Sequence, residues 1–285
     1  LLEELTRGLQ VAGEGAFSVD AGLAREKLRR YRLADPRRYI LAFVRAARAL
    51  GAEEVHVTWD LHNNVIVWFH CEPLEVVDLK TLEHALFTGD DRPRALARRE
   101  LASGVYAALG MDTKEVLIES GRAWARLDWG ERDAVESRDV RFGQTRIKVV
   151  HDFDLRRRAA DEPAELSVLR ASTGVGSFPL FINDERHQAT VVDSVLAERR
   201  YEDRRFRILA TMRNNAFAPH VQFICRGVLS GRVALADSVR GVRVRIECDE
   251  LQLDVSQMNV VMEGLAAEGL EIARQLARGL VQEQM

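Results

Sequence analysis

Cysteine is scarce in this chain and badly placed for staples. There are three, Cys71, Cys225 and Cys248. Their number is odd and their spacings match no zinc pattern, so a reducing compartment, the cytoplasm, is the expected setting. No apolar run approaches the length that spans a bilayer, and no signal peptide is visible. Internal repeats and low-complexity tracts are missing too. Charge of neither sign dominates, with 41 Lys and Arg against 44 Asp and Glu for a net charge of −3. Composition therefore gives no general reason to expect nucleic acid or an anionic membrane as partner. Arginine runs at Arg29-Arg30, Arg37-Arg38, Arg98-Arg99 and Arg156-Arg157-Arg158 are interspersed with acids and read as solvated helix faces.

What is present suits a globular protein with a sizeable core. Of 285 residues, 47% are hydrophobic and 30% charged, enough for one large domain or two ordinary ones. The chain opens on Leu1, so it is expected to be a fragment with sequence missing upstream. Asp20 is a plausible N-cap for a helix through Leu23, Leu28 and Tyr31. Asp35-Pro36 starts the next helix, with Pro in the first turn, where its missing N–H does no harm. In that helix, Ile40, Phe43, Val44, Ala47 and Leu50 recur at helical spacing. Gly51 makes a turn, and Val55, Val57 and Trp59 alternate as a strand. The polar turn 60–64 joins this strand to Val65–Phe69, and the pair reads as a hairpin.

A short helix is expected near Leu79–Leu86, a loop over 88–94, and an amphipathic helix over Ala95–Leu109. Strands are expected at Glu115–Glu119, Ala123–Asp128 and Gln144–Val150, with a loop at Trp129–Arg138. The charged, proline-containing stretch 156–164 is the best linker candidate. Beyond it, strand character shows at Arg186–Asp193, Arg205–Met212, Val221–Cys225 and Val242–Cys248. One long helix, Val260–Gln282, closes the chain; its Leu265, Ile272, Leu276 and Leu280 share a face. This order predicts an α+β fold, a mostly antiparallel sheet with helices on one face.

The segment 39–59, YILAFVRAARALGAEEVHVTW, resembles the nucleotide-site helix and following strand of the GHKL superfamily. That superfamily comprises gyrase, the ninety-kilodalton heat-shock chaperone, histidine kinases and mismatch-repair proteins. Its helix reads E-x-x-x-N-A-x-D-A-G-A, where the Glu activates the attacking water and the Asn holds the metal. With the pattern ending at Leu50-Gly51-Ala52, Ala42 takes the place of the Glu and Ala46 that of the Asn. A methyl group neither accepts a proton nor binds Mg²⁺. The family's D-x-G-x-G is matched by Phe69, Cys71 and Pro73. Phe cannot accept the adenine hydrogen bond, and Pro73 fixes φ where Gly would permit close approach.

The family's glycine-rich lid is matched by 92–103, which has no glycine before Gly104. Its G-T-x-I-x-V strand resembles 143–149 with one residue inserted, and Thr145 is the one nucleotide-contacting residue type kept. Residues 242–257 are similar to a strand-to-helix segment of the chaperone's middle domain, V-D-S-E-D-L-P-L-N-V-S-R, in which Leu251, Leu253, Val255 and Ser256 match in register. Gln257 replaces the arginine that reaches the γ-phosphate. Asp254 or Ser256 is alternatively just the cap of a helix starting near Gln257.

The resemblance implies a helix-on-antiparallel-sheet sandwich (Bergerat-like) over 1–155 and a smaller α+β, S5-like domain over 165–285. It implies a degenerate pocket at Ala46, Phe69, Cys71, Pro73 and Thr145, no working catalytic residue at Ala42 or Gln257, and no metal site. The function expected is that of an inactive scaffold or regulatory protein-interaction module, with protein partners and, as family members dimerise, a homodimer as one arrangement. Two alternatives stand beside it. A divergent ATPase would bind ATP and magnesium with a substitute carboxylate such as Glu72 or Glu100; otherwise this is an unrelated α+β interaction domain. The string His151-Asp152-Phe153-Asp154 has metal-ligand residue types but reads as a charged strand end. Gly174-Val175-Gly176-Ser177 lacks the flanking strand and helix of a phosphate loop and reads as a flexible loop.

Overall fold

The structure is a computed structural model. It describes residues 35–90, 92–111, 113–128, 133–152, 154–188, 195–214, 217–235, 238–254 and 259–283. The expected helix after Asp20 and the matches at Val255, Ser256 and Gln257 lie outside these residues.

Asp35 caps one tight turn, Pro36–Arg38, by accepting from the Arg37 amide at 3.2 Å. Helix α1, Tyr39–Ala49, follows directly. Its residues Tyr39 to Ala47 are all buried, Arg45 included, so it is a core helix rather than a half-exposed one. Strands β1, Val55–Trp59, and β2, Val65–Phe69, form the expected antiparallel hairpin. Asp60 holds the turn by accepting from the amides of His62 and Asn64, and Asn63 takes the left-handed conformation at φ 56°. The expected short helix is two pieces, α2, Val76–Lys80, and α3, Leu82–Ala85. Helix α4, Pro93–Leu109, packs across α1, and the contact is close. A Cβ on Gly104 would lie 2.5 Å from the Phe43 ring.

Three short strands were expected next; two long ones are found, β3, Thr113–Leu127, and β4, Ala134–His151. The expected gap after Glu119 is an irregularity within one strand. Gly121 sits there at φ 55°, and the register with β4 shifts on either side of it. Of the expected loop at Trp129–Arg138, Ala134–Arg138 belongs to β4, and 129–132 lie outside the described residues.

The stretch 156–164 is not a free linker. Helix α5, Leu155–Ala159, is tied down by Arg157, which donates to the Asn63 carbonyl at 3.0 Å and to Glu165 at 3.0 and 3.1 Å. Helix α6, Glu165–Ser172, and strands β5, Leu180–Ile182, and β6, Glu185–His187, follow. The first sheet runs β3-β4-β2-β1-β5-β6, antiparallel except where β1 meets β5. Residues 180–187 therefore belong to the first sheet, although a second domain was expected to begin at 165.

The second sheet comprises β7, Val195–Glu202; β8, Arg207–Arg213; β9, His220–Cys225; β10, Val228–Ala234; and β11, Val242–Glu247. Its order is β10-β9-β11-β8-β7, with β9 and β11 parallel. Helix α7, Leu265–Gln282, covers one face through Ala266, Leu270, Ala273 and Ala277 against Phe206, Ile208, Phe223 and Ile246. The expected start of this helix at Val260 is too early. Val260 bridges back to Leu253 as β structure, and Asp254 accepts from Asn259. On the other face, the expected flexible loop at 174–177 lies pinned on the sheet. Glu247 accepts from the amide and hydroxyl of Ser177, and Arg245 donates to the Val175 carbonyl at 2.8 Å.

Candidate functional site

The positions that would carry nucleotide chemistry lie inside the first core. Ala42 is 1% exposed, Ala46 0% and Phe69 1%. The two alanines present methyl groups, and the phenyl ring is part of the packed interior with Phe43, Val44 and Ile147. None of the three offers a proton acceptor, a ligand to magnesium or a hydrogen-bond partner to adenine.

The strand pairing places Phe69 directly opposite Thr145. The Thr145 hydroxyl does not face open space. It lies 2.6 Å from the Ser120 hydroxyl and 3.3 Å from the Cys71 sulfur. Ser120 Oγ in turn accepts from the Leu74 amide at 2.9 Å. One residue on, a Cβ added to Gly121 would sit 2.7 Å from Pro73 Cβ. The segment 69–74, which in the matched pattern would be the glycine loop that opens toward a nucleotide, is thus stitched onto β3 and β4. Burial pushes the Cys71 thiol up from its ordinary value, with the Thr145 hydrogen bond working against that shift.

The lid-like stretch is also committed. Arg94 donates to Asp78 at 2.6 Å and to the Pro73 carbonyl at 3.2 Å, and Arg98 donates to the Thr81 carbonyl. These arginines tie the start of α4 to α2, whereas Arg92, bonded to Asp90, stays exposed. Of the two substitute carboxylates, Glu72 is exposed and lies 3.4 Å from Arg94. Glu100 is buried between Arg45 of α1 at 2.9 Å and Arg226 at 2.8 Å. Burial alone would raise its carboxyl, but the charges and hydrogen bonds of Arg45 and Arg226 hold it below the ordinary glutamate range.

Arg226 comes from the second sheet. It and Gly227 form the β9–β10 turn, with φ of 49° and 80°. The turn is seated against the first unit. A Cβ on Gly227 would lie 2.5 Å from the Phe178 ring, and Val228 is part of the first core. Arg226 also donates to the Asp249 carbonyl at 2.8 Å, and Asp249 pairs with Arg48 of α1 at 2.9 Å. Sequence reading missed Arg45, Ser120 and Arg226. The Ser120-Gly121 pair inside a strand pattern was a usable signal for a bulge; nothing local marked the other two.

Two cavities lie elsewhere. One of about 350 Å³ is lined by His70, Glu119, Phe142, Gly143, Gln144 and Arg146. Another of about 270 Å³ lies between Leu235, Val239 and the arginines of α7, Arg274 and Arg278. Neither lining includes Ala42, Ala46 or Phe69. The string 151–154 is divided: His151 ends β4, while Asp154 caps α5 by accepting from the Arg156 amide at 2.9 Å. Among the described residues no group of three or more His, Cys, Asp or Glu is placed to hold a metal ion, and no helix is long and apolar enough to cross a membrane.

No protein-family model and no curated protein matches the chain. Among solved structures, the crystal structure of the B-subunit of the DNA gyrase from Myxococcus xanthus is similar to it. The match has a TM-score of 0.52 and 13% identity, covering 86% of this chain and 89% of that one. At this identity the likeness concerns the fold. The chain has an α+β fold similar to that of the gyrase B-subunit, a helix-covered sheet followed by a second, smaller sheet-and-helix unit.

Proposed function

We propose that this chain is a catalytically inactive GHKL-like module that serves as a scaffold or regulatory protein-interaction unit. The observation that carries the reading is the burial of Ala42, Ala46 and Phe69 in the interior, with segment 69–74 bonded to Ser120 through the Leu74 amide. Hydrolysis needs a base and a metal ligand, and the matched positions supply neither. Glu100, the buried substitute, is consumed by two arginines. Without nucleotide chemistry, the work of the fold falls to its outer surface and to protein partners. Three free thiols suit a reducing compartment such as the cytoplasm.

Calorimetric titration with Mg-ATP tests the reading: no heat of binding is expected up to millimolar nucleotide. An Ala42→Glu/Ala46→Asn variant is expected to stay without hydrolysis, because the space is filled as well as the residues changed. Micromolar binding, or hydrolysis abolished by a Glu100→Gln change, would sink it and favour a divergent ATPase.

A further inference from the structure

Strand β7 ends the second sheet, and among the described residues it hydrogen-bonds only to β8. Val195, Leu196, Glu198, Arg200 and Glu202 on it are exposed. The side chains of Arg199 and Tyr201 turn toward the helix side, where Arg199 meets Glu283 of the α7 end and Tyr201 packs against the second core. The outward row therefore reads Glu198, Arg200, Glu202.

An unpaired edge is a template for another strand, and charges on an edge ordinarily discourage that. The order of signs decides which strand is discouraged. Two copies of β7 related by a two-fold axis through the sheet would pair antiparallel, with same-face residues opposite each other. Centred on Arg199, Glu198 faces the second copy's Arg200, and Arg200 faces the second copy's Glu198. The regular stretch Ala197–Tyr201 is then paired, clear of the irregularity between Val195 and Ala197. Centring on Glu198 sets the two Glu198 side chains against each other. Centring on Arg200 opposes the two arginines and sets Glu198 against Glu202. Centring on Tyr201 matches Arg200 with Glu202 but leaves only the end of the strand overlapping. One register is therefore both long and attractive, and its centre is next to the middle of the strand.

We propose that β7 is a self-recognition edge, through which a second copy of this chain adds antiparallel and joins two five-stranded sheets into one. The Glu198–Arg200 pair that now closes within a single strand at 2.8 Å, both partners exposed, is exchanged for two pairs between copies. The inference is independent of whether a nucleotide binds.

Sedimentation velocity on the full chain, over a concentration series reaching tens of micromolar, should show a monomer–dimer equilibrium. Glu198→Arg and Arg200→Glu each place like charges opposite in both pairs, and each is expected to weaken the dimer about tenfold or more. An equimolar mixture of the two variants makes every facing pair opposite again, as does the double variant E198R/R200E alone, so both should dimerise as the wild type does. Circular dichroism confirms that these surface changes leave the fold intact. A wild type that stays monomeric throughout, a dimer indifferent to both single changes, or a mixture no tighter than either variant alone would each overturn the proposal.

Discussion

Replacing Glu100 by Ala strips the counter-charge from the joint between the two sheets. Its carboxylate is 4% exposed, and the flanking Arg45 and Arg226 side chains are 3% and 4% exposed. The variant leaves two guanidinium charges in the interior with their shared anion gone. Breaking a buried ion pair from one side costs about 3–5 kcal/mol. At about 2.1 cal/mol/K per residue, a chain of this length unfolds with an entropy of about 0.6 kcal/mol/K, so about 4 kcal/mol lowers Tm by about 7 °C. Scanning calorimetry at neutral pH reads this directly.

The triple variant R45M/E100L/R226M removes the desolvation cost along with the attraction and is expected to lie within about 1–2 kcal/mol of wild type. Because the Glu100 carboxyl is held below the 4.5 of an ordinary glutamate, its contribution is complete above that value and is lost as pH falls through the folded pKa. The gap between wild type and Glu100→Ala should therefore be full at neutral pH and close only in acid. A fall in Tm under about 2 °C, or a triple variant as damaged as the single one, would refute the assignment of the triad as the joint.

Three further outcomes are expected. Gly→Ala inside a helix ordinarily stabilises by about 1 kcal/mol, but Gly104→Ala should destabilise by about 1–3 kcal/mol in urea titration, because the new methyl group meets the Phe43 ring. Ser120→Ala leaves the buried Leu74 amide without its acceptor and should cost about 1–3 kcal/mol, with faster limited proteolysis at 69–74; unchanged cleavage would show that the segment is held by something else. In iodoacetamide labelling followed by mass spectrometry, Cys71 should react first. Cys225, buried and pushed up to about 12, should react only on unfolding.

Much of the architecture was legible in the chain because periodicity is local. The α1 apolar spacing, the β1–β2 hairpin with its polar turn, and β8, β9 and β11 all lie close to where their patterns put them. The failures share a cause: the deciding partner is distant. Gly121 looks like a break until β4 holds the strand on both sides of it. The three-residue β5 has no pattern of its own and becomes a strand by adding to β1. The alternating charges of β7 carry no apolar run, and the segment becomes a strand beside β8. At the nucleotide positions, the losses could be read from residue types alone, since Ala42, Ala46 and Phe69 lack the needed groups anywhere. What fills the space could not, since Ser120 reaches Leu74 across 46 residues and Arg226 reaches Glu100 across 126.

That last separation has a temporal consequence. During synthesis α1 and α4 emerge long before the β9–β10 turn, so Arg45 and Glu100 first meet as a one-to-one pair with Val228 still missing from their core. Closing a loop of this length is entropically costly and slow relative to local helix and hairpin formation. Docking of the Arg226-Gly227 turn should then be a late folding event. Until it happens the first sheet is a complete chain segment but an unfinished structure, with Phe178 uncovered on the side where the turn will sit.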